Sequence, residues 1–164
     1  MASLQSLGVP YNFPLPDEAD RPNSIPERCY RLYRTDMTEL TLSDVRFMIG
    51  QKVGLEYLVP IALEALKQDI MVEASYYEGD LLNGLLTVPE YFWEQNKTMV
   101  DELKRLIREN EMYLDEQLTD TTVEIRNSLL TGISLFPKSD AFEKMVKDGV
   151  FRHRTRNGKL PKIL

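Results

Sequence analysis

The sequence has one cysteine and one histidine in 164 residues, and these two scarcities exclude much of the chemistry open to a chain of this length. Cys29 has no second cysteine, so neither an internal disulfide nor a cysteine-based metal cluster can form within the chain. With no histidine near it in sequence to activate it, a buried structural thiol is the expectation. His153 stands between Arg152 and Arg154, where it reads as one solvated residue of a charged segment. Acid–base and nucleophilic catalysis draw mostly on His, Cys or a paired acid and base. The chain is therefore expected to be no enzyme and to have no catalytic residue.

Metal and phosphate signatures are also missing. A di-iron carboxylate site needs Glu followed three residues later by His on each of two helices, and no such pair occurs. Glu73, Glu78 and Asp80 lack the spacing of a calcium loop. Gly50 and Gly54 lack the third glycine, the lysine and the preceding strand of a phosphate-binding loop. No metal, cofactor or small-molecule substrate is expected. No apolar run reaches the roughly 18 to 20 residues needed to cross a bilayer, the longest being broken by Glu56, Glu64 or Asp80. The N-terminal stretch has no basic residue before Arg21 and too short an apolar run for a signal peptide. The expected location is cytoplasmic, with no membrane partner. There is no internal repeat and no low-complexity segment.

What is present suits a folded domain: 43% hydrophobic and 28% charged residues are ordinary for a globular protein, and the length fits one core. The net charge of −6 is unevenly placed. Residues 137–164 carry eight Lys or Arg against three Asp or Glu, a balance of +5, whereas the residues before them carry twelve against twenty-three, a balance of −11. An acidic body steers toward a basic partner and repels phosphates; a solubility role for the acidity explains the charge equally well. The basic segment RHRTRNGKLPK resembles a nucleic-acid arm but has no interleaved aromatic and follows an acidic body, so nucleic acid is not an expected partner.

Residues 9–26 hold five of the nine prolines, so residues 1–26 read as an irregular arm laid over the core by Tyr11, Phe13 and Leu15. Arg28 to Arg34 alternates basic with apolar or aromatic residues and fits either a short helix or an edge strand. Thr41 with Asp44 caps a helix from Leu42 to Gly50. Leu55, Leu58, Val59, Ala62, Leu63 and Leu66 follow at helical spacing, and Pro60 within them calls for a kink or for a helix starting near it. Leu81, Leu82, Leu85 and Leu86 mark a buried helix after Gly79-Asp80. Pro89 opens a short segment with Tyr91, Phe92 and Trp93. Lys97 to about Leu118, with Met99, Val100, Leu103, Leu106, Ile107, Tyr113 and Leu114, gives the longest amphipathic pattern, as one helix or as two divided near Asn110. Thr121 to Phe136 is open to helix or strand, with helix favoured by its context. Ser139 caps a last helix stopped by Gly149. The expected fold is mainly α, a compact single-domain bundle of about six helices with Ile49, Leu55, Leu58, Leu63, Leu66, Leu81, Leu82, Leu85, Leu103 and Ile107 in its core.

The candidate surface is the aromatic and acidic run from Met71 to Asp80. Tyr76 and Tyr77 offer large contact area at low entropic cost, and Glu73, Glu78 and Asp80, with Asp101, offer orientation toward a basic partner. The alternative is that the tyrosines cap the core between two helices.

The segment SDVRFMIGQKVGLEYLVPIALEAL, followed by YYEGDLLNGLL, resembles the immunity proteins of contact-dependent growth inhibition (CDI). The residues that carry the resemblance are Asp44, Arg46, Ile49, Gly50, Gln51, Gly54, Leu55, Tyr57, Leu58, Pro60, Tyr77, Gly79, Asp80, Leu81 and Leu82. It extends from about Ile25 to Asn110. Val45 stands where leucine is expected, Val59 separates Leu58 from Pro60, and the region after Asn110 has no counterpart in the pattern. The resemblance implies a helical immunity-like domain over residues 27–150, followed by a basic tail, 151–164. It further implies a cognate toxin domain as protein partner, frequently a nuclease with a basic groove, neutralised by blocking of its active site. Most of the matched residues are apolar, Gly or Pro and read as fold determinants. A helical scaffold or regulatory adaptor unrelated to toxins is the alternative.

Overall fold

Ser24 begins the first helix, α1 (Ile25–Arg34), by accepting a hydrogen bond from Glu27 N at 3.4 Å. Pro26 falls in the first turn, where a missing N–H has no helical partner to lose. The Arg-alternating stretch is thus helical, turning Cys29, Leu32 and Tyr33 inward. The computed structural model describes residues 2–137; the helix expected after Ser139 and the basic tail with His153 lie outside them. Among the described residues the protein is mainly α, with eight α-helices and no strand beyond an isolated bridge between Ser3 and Asp36. The chain divides between Ala62 and Leu63 into two compact units.

In the first unit the arm is tied to α1 through tyrosines. The Tyr11 ring lies 4.7 Å from that of Tyr33 and 5.4 Å from that of Tyr30, and the Tyr33 hydroxyl donates to the Val9 carbonyl at 2.7 Å. Phe13 is half-buried, but Leu15 is 67% exposed and takes no part in the expected cover. A single 3-10 turn (Met37–Glu39) leads into α2 (Leu42–Gly50). Its cap is reciprocal: Asp44 N donates to Thr41 Oγ1 at 3.2 Å, and Thr41 N donates to Asp44 Oδ2 at 3.1 Å. The other Asp44 oxygen accepts from Arg28 at 3.1 Å, joining α2 to α1, and the Arg28 guanidinium sits 4.2 Å above the Phe47 ring. Gly54 has φ +69, and a Cβ there would come within 2.5 Å of Leu4 Cδ1, so the fully buried Leu4 requires glycine opposite it.

The helix α3 (Leu55–Gln68) runs through Pro60 without dividing, and Leu55, Leu58, Val59, Ala62, Leu63 and Leu66 are all buried. The side-chain pattern outweighs the loss of one backbone hydrogen bond. In the second unit come α4 (Asp80–Leu86), α5 (Glu90–Gln95), α6 (Lys97–Glu109), α7 (Glu111–Thr119) and α8 (Val123–Leu135). Asn110 ends α6 by donating from its side chain to the Leu106 carbonyl at 2.8 Å, while its own carbonyl accepts from Leu114 N at 2.8 Å. The long amphipathic pattern is therefore two helices. Phe92 and Trp93 are buried and Tyr91 exposed; Trp93 Nε1 donates to the Val88 carbonyl at 3.1 Å, and the Phe136 ring meets the indole edge-on at 4.9 Å. Thr122 caps α8 at Ile125 N, resolving the ambiguous Thr-rich stretch as helix. Against α4, α8 approaches at Gly132, where a Cβ would fall 2.9 Å from Leu86 Cδ1. All ten residues expected in the core are buried. The eight helices among the described residues stand close to the expected number of about six, with Asn110 deciding for two helices the pattern that spacing left open as one or two.

Candidate functional site

The segment between α3 and α4, residues 69–79, has no helix of its own, and short-range bonds shape it. The Asp69 carboxylate accepts from Met71 N at 2.9 Å, turning the chain out of α3. Gly79 N returns to the Met71 carbonyl at 2.8 Å and closes the loop. Gly79 has φ +87, and a Cβ there would stand 3.0 Å from the Met71 sulfur and 3.2 Å from Leu129 Cδ1. Both the turn and the packing therefore demand glycine.

Asp80, first residue of α4, is 0% exposed, and its carboxylate points back into the loop. Oδ1 accepts from Ala74 N at 2.7 Å, and Oδ2 accepts from Ser75 N and Tyr76 N, each at 2.9 Å. Three consecutive backbone amides are thus held by one ionisable side chain, an arrangement that satisfies a buried carboxylate and orders a loop in the same step. The consequence is at Tyr76, whose backbone is fixed while its side chain is 70% exposed. Glu73 and Glu78 are exposed beside it.

Tyr77 is half-buried, and its hydroxyl accepts from Asn83 Nδ2 of α4 at 2.7 Å. Asn83 Oδ1 in turn accepts from Ser128 Oγ of α8 at 3.1 Å. The two tyrosines therefore divide the roles that sequence left open: Tyr77 packs toward the helices and Tyr76 stands outward. Five of the six candidate residues, Glu73, Tyr76, Tyr77, Glu78 and Asp80, belong to this loop and its anchor. Asp80 stands behind the surface and holds it. Asp101 is apart from the loop, exposed on α6 and lining a cleft of about 290 Å³ with Glu90, Glu94, Lys97 and Lys104 over Trp93 and Val100.

Tyr113 of α7, read from sequence only as part of the amphipathic pattern, is 40% exposed. Partial burial raises its hydroxyl above the ordinary tyrosine value, and the carboxylates of Asp69, Glu78 and Glu116 add to the rise. No local spacing relates Tyr113 to Glu78, so nothing in the linear pattern could have joined them. Cys29 has the expected environment: it is fully buried, and burial pushes its thiol up, a shift that the neighbouring Tyr11 hydroxyl partly opposes. Among the described residues no group of three or more His, Cys, Asp or Glu could hold a metal ion, and no helix is long and apolar enough to cross a membrane.

Fold and site together define a class: a mainly helical protein that carries an ordered, acid-flanked tyrosine loop at its surface. A family model of the CDI immunity proteins matches residues 11–103, more than half of the chain, and the chain belongs to that family. The matched span begins earlier than the resemblance read from sequence, at Tyr11, and ends at Leu103. It includes the whole loop and Asp80, while α7 and α8 lie beyond it. No curated protein and no solved structure matches the chain.

Proposed function

We propose that this immunity protein binds the C-terminal toxin domain of a cognate CDI effector and neutralises it by occupying its active site, with the loop of Glu73, Tyr76, Tyr77 and Glu78 as the contact surface. The observation that carries this reading is the pairing of an exposed Tyr76 with a backbone already immobilised by Asp80. An aromatic anchor contributes most to affinity when little ordering remains to be done on binding. The flanking carboxylates favour a basic groove such as that of a nuclease, because complementary potentials speed encounter. The protein acts by occupancy and turns over no substrate; neither nucleic acid nor a small molecule is its ligand. Its place of action is the cytoplasm, where the delivered toxin works.

The test is co-expression with the toxin domain encoded immediately upstream, followed by binding measurements on the purified pair. Growth is expected to be rescued by the native chain. Tyr76→Ala is expected to raise the dissociation rate about tenfold, each tenfold corresponding to about 1.4 kcal/mol. A correctly folded Tyr76→Ala protein that binds and rescues as well as the native chain would remove the loop from the interface.

A further inference from the structure

The cleft that holds Asp101 lies where the described residues end. Glu90, Trp93 and Glu94 stand three and four apart on α5, and Lys97, Val100, Asp101 and Lys104 repeat that spacing on α6, so each helix gives one face to the cleft of about 290 Å³. Its floor is apolar, from Trp93 and Val100, and its rim is charged, with Glu90, Glu94 and Asp101 outnumbering Lys97 and Lys104. The remaining wall is Pro137, the last of the described residues. Phe136 brings the chain there. It closes α8 in an extended conformation, with its ring edge-on against the Trp93 indole at 4.9 Å, so the chain that follows starts from the edge of the cleft.

We infer that the cleft is the seat of this chain's own residues 141–146. The sequence names them as its occupant. In a helix begun at Ser139, as the pattern predicts, Ala141, Phe142, Met145 and Val146 share one face, and every charged residue from Asp140 to Asp148 falls on the other. Such a face needs an apolar surface to cover it, and the floor of Trp93 and Val100 is within reach. Phe142 is five residues beyond Pro137, which is at most about 17 Å along an extended chain and about 8 Å along a helix. A segment tethered beside its seat competes with any free partner at an effective concentration on the order of millimolar. Charge acts in the same direction. Residues 149–164 carry five Lys or Arg and no Asp or Glu, against −11 over the residues before Pro137, so attraction between tail and body adds to the burial of the apolar face. This seat is independent of where the toxin binds.

The experiment uses the full chain with pairs of introduced cysteines, since Cys29 is fully buried and stays out of the reaction. Met145→Cys is combined with Glu94→Cys or Asp101→Cys, both at exposed positions on the cleft rim. As a control it is combined with Glu124→Cys, exposed in the first turn of α8, a helix about 20 Å long with Pro137 beyond its other end. Under mild oxidation, followed by digestion and mass spectrometry, both cleft pairs are expected to form a disulfide within one chain, faster than the control and at a rate independent of protein concentration. Adding Phe142→Asp is expected to abolish that preference, whereas Lys147→Asp, on the opposite face, keeps it. If circular dichroism shows that Phe142→Asp unfolds the chain, the cleft pairs against the Glu124→Cys control still decide. Cleft pairs that link no faster than the control, or a preference that survives Phe142→Asp in a folded chain, overturn the proposal. Links formed only between chains overturn it in favour of a second copy, and no link at the cleft overturns it in favour of a different partner.

Discussion

Asp80 concentrates the order of an eleven-residue loop in one carboxylate. Removing it strips acceptors from the amides of Ala74, Ser75 and Tyr76 at once. Hydrogen bonds to a charged group are worth about 1.5 to 3 kcal/mol each, and buried donors left unpaired cost a similar amount. Asp80→Ala is expected to lower unfolding stability by at least about 3 kcal/mol, and Asp80→Asn by less, since the amide keeps one acceptor; denaturant titration measures both. Asp44 offers a pH-dependent counterpart. Burial opposes its ionised form, but hydrogen bonds from Thr41 and Arg28 outweigh that and hold its carboxyl below the usual carboxylate range. A carboxyl that binds its proton less tightly when folded adds stability above its unfolded value of about 3.9, and that contribution is lost as pH falls through the lower folded value. Asp44→Asn should therefore melt at a lower temperature than the native chain at pH 7, with the gap narrowing as pH falls below the unfolded carboxyl value and through the lower folded one. An equal gap at every pH would mean that charge has no part in the effect.

At the scale of elements, α4 and α8 show where spacing informs and where it stops. Leu81, Leu82, Leu85 and Leu86 were readable as a buried turn because four leucines in six positions leave little choice of face. Pro60 was read as a kink or as a helix start, and α3 runs on through it from Leu55, because the proline rule concerns a single backbone bond and the buried face of α3 spans six apolar side chains. Asp80 was legible as part of the candidate run but not as its anchor, since sequence does not tell a carboxylate that faces solvent from one that accepts three amides behind the surface. The approach of Tyr113 to the loop and of Ser128 to Asn83 was out of reach altogether, because it arises through tertiary packing over separations of tens of residues. Gly132 tests the packing directly. Alanine is favoured over glycine in a helix interior by about 1 kcal/mol, yet a Cβ here would stand 3.0 Å from Leu86 Cβ, close to the α4 backbone. Gly132→Ala is expected to destabilise by about 1 to 3 kcal/mol in spite of its propensity, as overpacking does. A gain in melting temperature would show that α8 can shift freely.

For the whole molecule the decisive quantity is charge, −11 over the residues before Pro137. Charge that steers acts on encounter and is screened over about 8 to 10 Å at physiological ionic strength. Reversing Glu73 and Glu78 to Lys is expected to slow association with the toxin severalfold at low salt and little at high salt, with dissociation nearly unchanged. Stopped-flow association at two salt concentrations separates this from the faster dissociation expected of Tyr76→Ala. Equal slowing at both salts would mean that the two glutamates touch the toxin and do more than attract it. The closure of the loop also bears on how long the protein lasts in a cell. A protease must draw several residues of its target into an extended strand before it can cut, and Tyr76 with its acidic neighbours would otherwise be an inviting exposed site. With the amides of residues 74–76 tied to a buried carboxylate, that strand cannot form without breaking the anchor. The exposed segment around Tyr76 is thereby expected to resist digestion, so that an immunity protein can remain in place through long intervals in which no toxin arrives.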